Sequence, residues 1–181
     1  MDIRIALIMS GGYRILFADL DDTIIKTKSG KKFARGIYDW KFKDGILEAI
    51  KAYNPCAIFI VTNQGGLKTV IDINTFKYKI QTIMTYISRY LVRYDNGNVQ
   101  TVYPDYKFCL STDENDPDRK PNPGMINYFI DLYNLDRSNC LMIGDASGKE
   151  GDFSDSDKMA AKNAGIKYLD VNDFIEKYRQ S

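Results

Sequence analysis

The sequence predicts the α/β class: a doubly wound, mostly parallel sheet with an antiparallel N-terminal hairpin strand, a small flap and no large cap. Three observations carry that expectation. Cys56-Ala57-Ile58-Phe59-Ile60-Val61 and Cys140-Leu141-Met142-Ile143 are continuous apolar runs, the pattern of parallel strands buried on both faces. Segments of helical period separate the strand runs along the chain. Each apolar run also stops at polar or acidic residues, at the strand end where open α/β sheets bind ligands.

Taken in order, Ile3 to Met9 reads as a strand, and Gly11-Gly12 as the tight turn that returns it beside Arg14 to Leu20. That central strand holds Ile15-Leu16-Phe17-Ala18 and ends in Asp19-Leu20-Asp21-Asp22-Thr23. The following stretch is polar and basic, with Lys26, Lys28, Lys31, Lys32 and Arg35 around a Ser29-Gly30 turn, and is expected to protrude as a flap over residues 24–40. Asp44 to Tyr53 is a short helix ended by Pro55. After the Cys56–Val61 strand the chain turns at Thr62-Asn63-Gln64-Gly65-Gly66. Thr75 to Val92 carries one apolar stripe, Phe76, Ile80, Ile83, Ile87 and Leu91, and is predicted to be the longest helix. Asp95-Asn96-Gly97-Asn98 is a turn, Tyr106 to Leu110 a third strand, and Asp113 to Asp118 an acidic loop. Pro123 to Tyr133 is a helix with proline near its start. Cys140–Ile143 runs into Gly144-Asp145, and a polar loop, Ala146 to Ser156, precedes a helix from Asp157 to Ala164 closed by Gly165. Ile166 to Leu169 and Asp173 to Tyr178 supply a last strand and helix. The alternation describes one Rossmann-like domain over residues 1–181.

Composition removes several classes. At 181 residues the chain can bury one sizeable core, and a net charge of +1 argues against a globally basic nucleic-acid coat. No apolar run approaches bilayer length, and Asp2 and Arg4 interrupt the first segment, so neither a membrane partner nor a signal peptide is expected. The expected location is intracellular, in cytoplasm or nucleus. There is no histidine, which excludes serine–histidine and cysteine–histidine hydrolysis. Cys56, Cys109 and Cys140 form no CxxC pair and read as free thiols in or beside strands. Acid–base work therefore falls to carboxylates, lysine or tyrosine. Richness in Ile, Lys, Asn and Tyr suggests an AT-rich genome, a viral one included.

Because the strands of a parallel sheet end on one edge, Asp19 and Asp21, Thr62 and Asn63, Lys120 and Asp145 are expected to converge. Carboxylates beside a hydroxyl and an ammonium make a poor core and a suitable site for a divalent cation and a phosphate. The order Asp-x-Asp-x-Thr, a strand ending in Thr-Asn, then Lys, then Gly-Asp resembles the haloacid-dehalogenase phosphatase superfamily in all four of its motifs, across essentially the whole chain. The resemblance implies that Asp19 is a nucleophile and that Asp21 is a general acid and then base. It implies Mg²⁺ held by Asp19, the Asp21 backbone carbonyl and Asp145. Phosphoryl oxygens would be bound by Thr62, Asn63 and Lys120. Asp157, eight residues before Gly165, is expected to back the metal or Lys120, with a helix N-cap as the alternative.

Within that superfamily the chain is most similar to the polynucleotide kinase 3′-phosphatase family. The matching stretches are Thr27-Lys28-Ser29-Gly30-Lys31-Lys32-Phe33 with Asp39-Trp40, Thr62-Asn63-Gln64-Gly65, Arg119-Lys120-Pro121 with Gly124-Met125, and Gly144-Asp145-Ala146-Ser147-Gly148-Lys149 leading to Asp152-Phe153-Ser154. The resemblance implies removal of a 3′-phosphate from DNA ends, a repair step, with Phe33 and Arg119 at the terminal nucleotide; the basic segment beside the nucleophile, Lys28 and Lys31 included, is suited to meet backbone phosphates. Two departures stand out. Asp22 occupies a position where the family has glycine, and acids crowd the loop before Arg119. The Gly144–Glu150 stretch approximates a phosphate loop but is one residue short and lacks its Ser/Thr. No kinase domain, no 5′-kinase activity and no ATP are therefore expected, and a monomer is. Two other readings stay open: a small-metabolite phosphatase of the same superfamily, and an inactive scaffold that binds nucleic-acid ends. Metabolite phosphatases of this kind commonly carry a Cys/His zinc loop, which a histidine-free chain cannot build.

Overall fold

A computed structural model describes residues 13–32, 34–95 and 98–179. The expected Ile3–Met9 strand and its hairpin lie outside the described residues, as does Phe33.

The centre of the molecule is β1 (Ile15–Ala18), every residue of which is buried. It belongs with β4 (Ala57–Asn63), β7 (Tyr103–Cys109), β8 (Cys140–Gly144) and β9 (Lys167–Asp170) in one sheet of order β7-β4-β1-β8-β9. All four pairings are parallel. The chain winds outwards from β1 through β4 to β7, then returns to lay β8 on the free side of β1. The switch in direction therefore falls between β1 and β8, which is where such sheets open a crevice. Asp19 N donates to Ile143 O at 3.0 Å, carrying the β1–β8 pairing past the end of β1 and towards Asp145.

Alternation along the strands feeds two apolar layers. Leu16, Ala18, Ile58, Ile60 and Ile143 face α1 (Ile46–Tyr53), α2 (Val70–Tyr90) and α5 (Val171–Arg179). Ile15, Phe17, Phe59, Val61 and Met142 face α3 (Gly124–Tyr133) and α4 (Ser156–Asn163). In the second layer the Phe59 and Phe129 rings stack with centroids 4.4 Å apart. Over the described residues the expected elements are present, with boundaries moved for local reasons. α2 begins well before its apolar stripe because Thr69 and Asp72 form a reciprocal capping box, each backbone N–H donating to the other side chain at 3.1 Å. β7 begins before its apolar residues and contains Pro104, which an edge strand tolerates. A short antiparallel pair, β5 (Arg93–Asp95) and β6 (Asn98–Gln100), flanks the expected turn and had no counterpart in the sequence reading.

The flap is a hairpin with a two-pair stem, β2 (Ile25–Lys26) against β3 (Lys41–Phe42). Its base is fixed by rings: Trp40 packs edge-on to Phe42, centroids 5.6 Å apart, and both pack edge-on to Tyr86 of α2. Its loop is cinched by Asp39, whose carboxylate accepts from Ser29 N at 2.8 Å, Ser29 Oγ at 2.7 Å and Arg35 N at 2.8 Å. These hydrogen bonds, that of the Arg35 N–H foremost, hold the Asp39 carboxyl down at about 2. Lys28, Lys31, Lys32 and Arg35 stand exposed on the same loop. Among the described residues no helix is long and apolar enough to cross a membrane, and the three cysteines are free thiols.

Two outcomes are expected from this architecture. Phe129→Ala should lower stability by about 3–5 kcal/mol, read by urea unfolding, because it empties a stacked and sealed layer. Asp39→Ala should speed amide exchange at Ser29 and Arg35 while leaving the β4 amides unchanged. In the wild type the same cinch should be complete above about pH 4, near an unperturbed aspartate, and be lost as pH falls towards 2, because its folded carboxyl titrates below its unfolded one.

Candidate active site

The residues expected at the carboxyl edge do meet there. Asp19 follows β1, Asp145 follows β8, Thr62 and Asn63 close β4, Lys120 arrives on the loop between β7 and α3, and Asp157 lies in the first turn of α4. At the centre, Lys120 Nζ donates to Asp19 Oδ1 and, at 2.7 Å, to Asp157 Oδ1. Asp19, Lys120 and Asp157 are only 8%, 4% and 1% exposed. The backbone of Lys120 is held in turn by the Asn63 side chain: Lys120 N donates to Asn63 Oδ1 at 3.0 Å and Asn63 Nδ2 to Lys120 O at 2.9 Å. The Asn63 side-chain amide thus acts as a substitute strand partner that fixes the lysine, separate from the backbone N–H groups beside Thr62 that are expected at the phosphate.

Asp157 is not the helix cap, a position that falls to Asp155. Its Oδ2 accepts from Ala146 N at 3.1 Å and lies so close to Gly144 that a Cβ there would sit 2.2 Å from it. Glycine before Asp145 is thus the condition for Asp157 to reach Lys120. Thr23, fully buried, ties the first and last motifs together: its Oγ1 donates to Asp145 Oδ1 at 3.1 Å and accepts from Asp145 N at 3.0 Å.

The electrostatics are unbalanced. Asp19, Asp145 and Asp157 each bring a carboxylate oxygen within 4.8 Å of the other two, facing one ammonium. Were all three ionised, they would carry two more negative charges than the ammonium matches, at a centre where Asp19 and Asp157 are buried. Burial pushes the Asp19 carboxyl up to about 8, against the pull of Lys120 and with the help of Asp157 and Asp21. Burial also raises the Asp145 carboxyl, and Asp157 adds to it. For Lys120 burial works against the charge, yet Asp157 and Asp19 outweigh it and hold the ammonium above the usual lysine range. Hard oxygen donors with uncompensated charge fit Mg²⁺. Both oxygens of Asp157 are already engaged, whereas Asp19 Oδ2 and Asp145 Oδ2 take no hydrogen bond among the described residues.

Around this centre Thr62 is buried, and its hydroxyl accepts from Gln64 Nε2 at 3.1 Å, which leaves its own hydrogen to donate. Gln64 Nε2 also donates to Asp21 Oδ2 at 2.8 Å, and Lys79 Nζ lies 3.6 Å from Asp21 Oδ1. Asp22 has φ 57, a left-handed backbone that glycine meets without strain and that aspartate tolerates better than most residues. The acids of the 113–118 loop turn onto their own surroundings: Asp113 accepts from Asn115 N, Asp116 from Asp118 N, and Asp118 from Lys107 Nζ at 2.5 Å. Arg119 Nη1 donates to Ser111 O at 2.9 Å and passes close to Gly65. Lys28 and Lys31 extend from the flap, and Lys32 Nζ lies 5.0 Å from the ring centre of Phe153, on the loop after Asp145. In that loop Asp152 Oδ2 takes the Ser147 and Lys149 N–H groups, both at 3.0 Å, so the amides a phosphate loop would offer to a nucleotide are already bound.

Thr23, Gln64 and Lys79 had no role assigned from sequence. The first two stand inside recognised motifs. Lys79 gave no signal beyond its place between Phe76 and Ile80 on the inward side of α2.

Comparison with known proteins adds a consistent picture. Residues 14–175 match the family model described as polynucleotide kinase 3 phosphatase. A bifunctional polynucleotide phosphatase/kinase from Schizosaccharomyces pombe is 32% identical over 163 residues, covering 87% of this chain and 36% of that protein. The chain thus spans about a third of that relative's length. A polynucleotide 3′-phosphatase from Saccharomyces mikatae is 27% identical over 201 residues, covering 83% of this chain and 80% of that protein. Among solved structures, a D,D-heptose 1,7-bisphosphate phosphatase from B. bronchiseptica, complexed with magnesium and phosphate, shares the fold at TM-score 0.55 and 20% identity, covering 92% of this chain and 98% of that one.

The buried triad yields a double-mutant cycle. Lys120→Met should cost about 3–5 kcal/mol in EDTA, since it strands two carboxylates. Asp157→Asn should cost less, and the double variant should be more stable than the two costs summed by at least about 1 kcal/mol. Urea unfolding of the four proteins checks this.

Proposed function

The chain belongs to the polynucleotide kinase 3 phosphatase family, and from that premise we propose that it removes the 3′-phosphate from polynucleotide ends, DNA foremost, as a Mg²⁺-dependent phosphomonoester hydrolase. The observation that carries the reading is the Lys120 ammonium clasped by Asp19 and Asp157 with Asp145 alongside, a charge pattern that suits an incoming phosphate and cation.

Held by Asp19, the Asp21 carbonyl and Asp145, Mg²⁺ would supply the positive charge that lets a carboxylate approach an anionic phosphoryl group. The residues do the rest. An Asp19 carboxylate oxygen attacks phosphorus, and the bond from phosphorus to the 3′-oxygen breaks. Asp21 gives that oxygen its proton, so the product end leaves as a hydroxyl. Asp21, now a carboxylate, takes a proton from water; the resulting hydroxide attacks the aspartyl-phosphate, the bond to Asp19 breaks, and inorganic phosphate departs. Thr62 and Lys120 donate to the phosphoryl oxygens throughout. The exposed lysines Lys28 and Lys31 on the flap, with Phe33 and Arg119, are placed in this reading along the polymer beyond its terminal phosphate.

Phosphate release from a 3′-phosphorylated oligonucleotide tests the proposal. The wild type should release phosphate with Mg²⁺ and not with EDTA. Asp19→Asn should lose about 10⁴-fold or more, and Asp21→Asn about 10²–10⁴-fold. Preference for a small ester such as a heptose bisphosphate would move the substrate to the metabolite class. Oligonucleotide binding without any release would leave only an end-binding scaffold.

A further inference from the structure

We infer that Lys79, together with Gln64, is a positioning residue for Asp21, holding its carboxyl group on the leaving-group side of the site. The inference rests on the proposed function, since it concerns how Asp21 is aimed in that reaction. Asp21 sits on a half-exposed turn, where a lone carboxylate would move among its rotamers. Here each of its oxygens has a separate partner. Gln64 Nε2 reaches Oδ2 at 2.8 Å and gives direction, and Lys79 Nζ lies 3.6 Å from Oδ1 and gives charge.

Lys79 is an unusual lysine. Its side chain is 12% exposed, whereas Lys77 on the same helix is exposed. Most of its stem lies against the helix and its neighbours, and among the described residues Asp21 is the one carboxylate within ion-pair distance of its ammonium. Because Gln64 also bonds the Thr62 hydroxyl, the clamp sets Asp21 relative to a group that would bind the phosphate. A proton donor works only within hydrogen-bond reach of the oxygen it serves, so an unclamped Asp21 costs rate and not binding.

The experiment compares wild type, Lys79→Met, Lys79→Arg and Lys77→Met, each with Mg²⁺, on a 3′-phosphorylated oligonucleotide and on p-nitrophenyl phosphate. Lys79→Met should lower kcat on the oligonucleotide about tenfold or more with KM changed less than about threefold, and Lys79→Arg should recover most of the loss. The rapid first burst of p-nitrophenolate, a leaving group that needs no proton, should be unchanged. Lys77→Met removes the same charge from the same helix and should match wild type on both. If Lys79→Met does not fold, Gln64→Ala should show the same split. A rise in KM alone, a loss of the p-nitrophenolate burst as large as the loss on the oligonucleotide, or no loss at all would overturn the inference. No release by the wild type would instead overturn the function on which it rests.

Discussion

A lysine ammonium shut between two carboxylates is the constraint to which the molecule is built. Charges removed from water are costly unless matched in place, and here the match is assembled from four separate elements. β1 delivers Asp19, α4 delivers Asp157, the loop after β7 delivers Lys120, and β4 sends Asn63 to grip the lysine backbone. None of these side chains could meet the others if β8 did not lie beside β1, so the change of winding direction at that point is as much a part of the site as any carboxylate. Gly144 completes the condition, since any side chain there would displace Asp157. The negative surplus that remains gives a cation and an anionic substrate group something to neutralise.

Much of this was legible in the chain. Fully apolar strand runs announce burial on both faces, and the acids at their ends had no packing explanation, so the sheet and the gathering of Asp19, Thr62, Lys120 and Asp145 followed directly. What escaped has a common physical origin: side chains whose partner comes from elsewhere in the fold. The Asn63 side chain has no visible task until the backbone of Lys120 is laid next to it. Asp157 had two readings, and its contact with Lys120, which comes from a distant loop, decides between them. Lys79 reads as an ordinary helix lysine flanking an apolar stripe. The start of α2 was missed because its capping turn, with Val70 and Ile71 exposed, turns no stripe inwards.

The two departures from family pattern have local accounts. Asp22 adopts a left-handed turn whose carbonyl is held by Lys43 Nζ at 2.9 Å, so the aspartate is supported where glycine would be unconstrained. The acidic loop before Arg119 engages much of its own charge in backbone N–H groups and Lys107, which reduces its opposition to an anionic neighbour.

The cinch that Asp39 places on the flap has a thermodynamic consequence for whatever docks beside the site. Ser29 and Arg35 do not wait for a ligand to bring them together, because both are already gathered on one carboxylate. A surface ordered in advance surrenders little conformational entropy at encounter, so contacts made on that rim count nearly in full towards affinity.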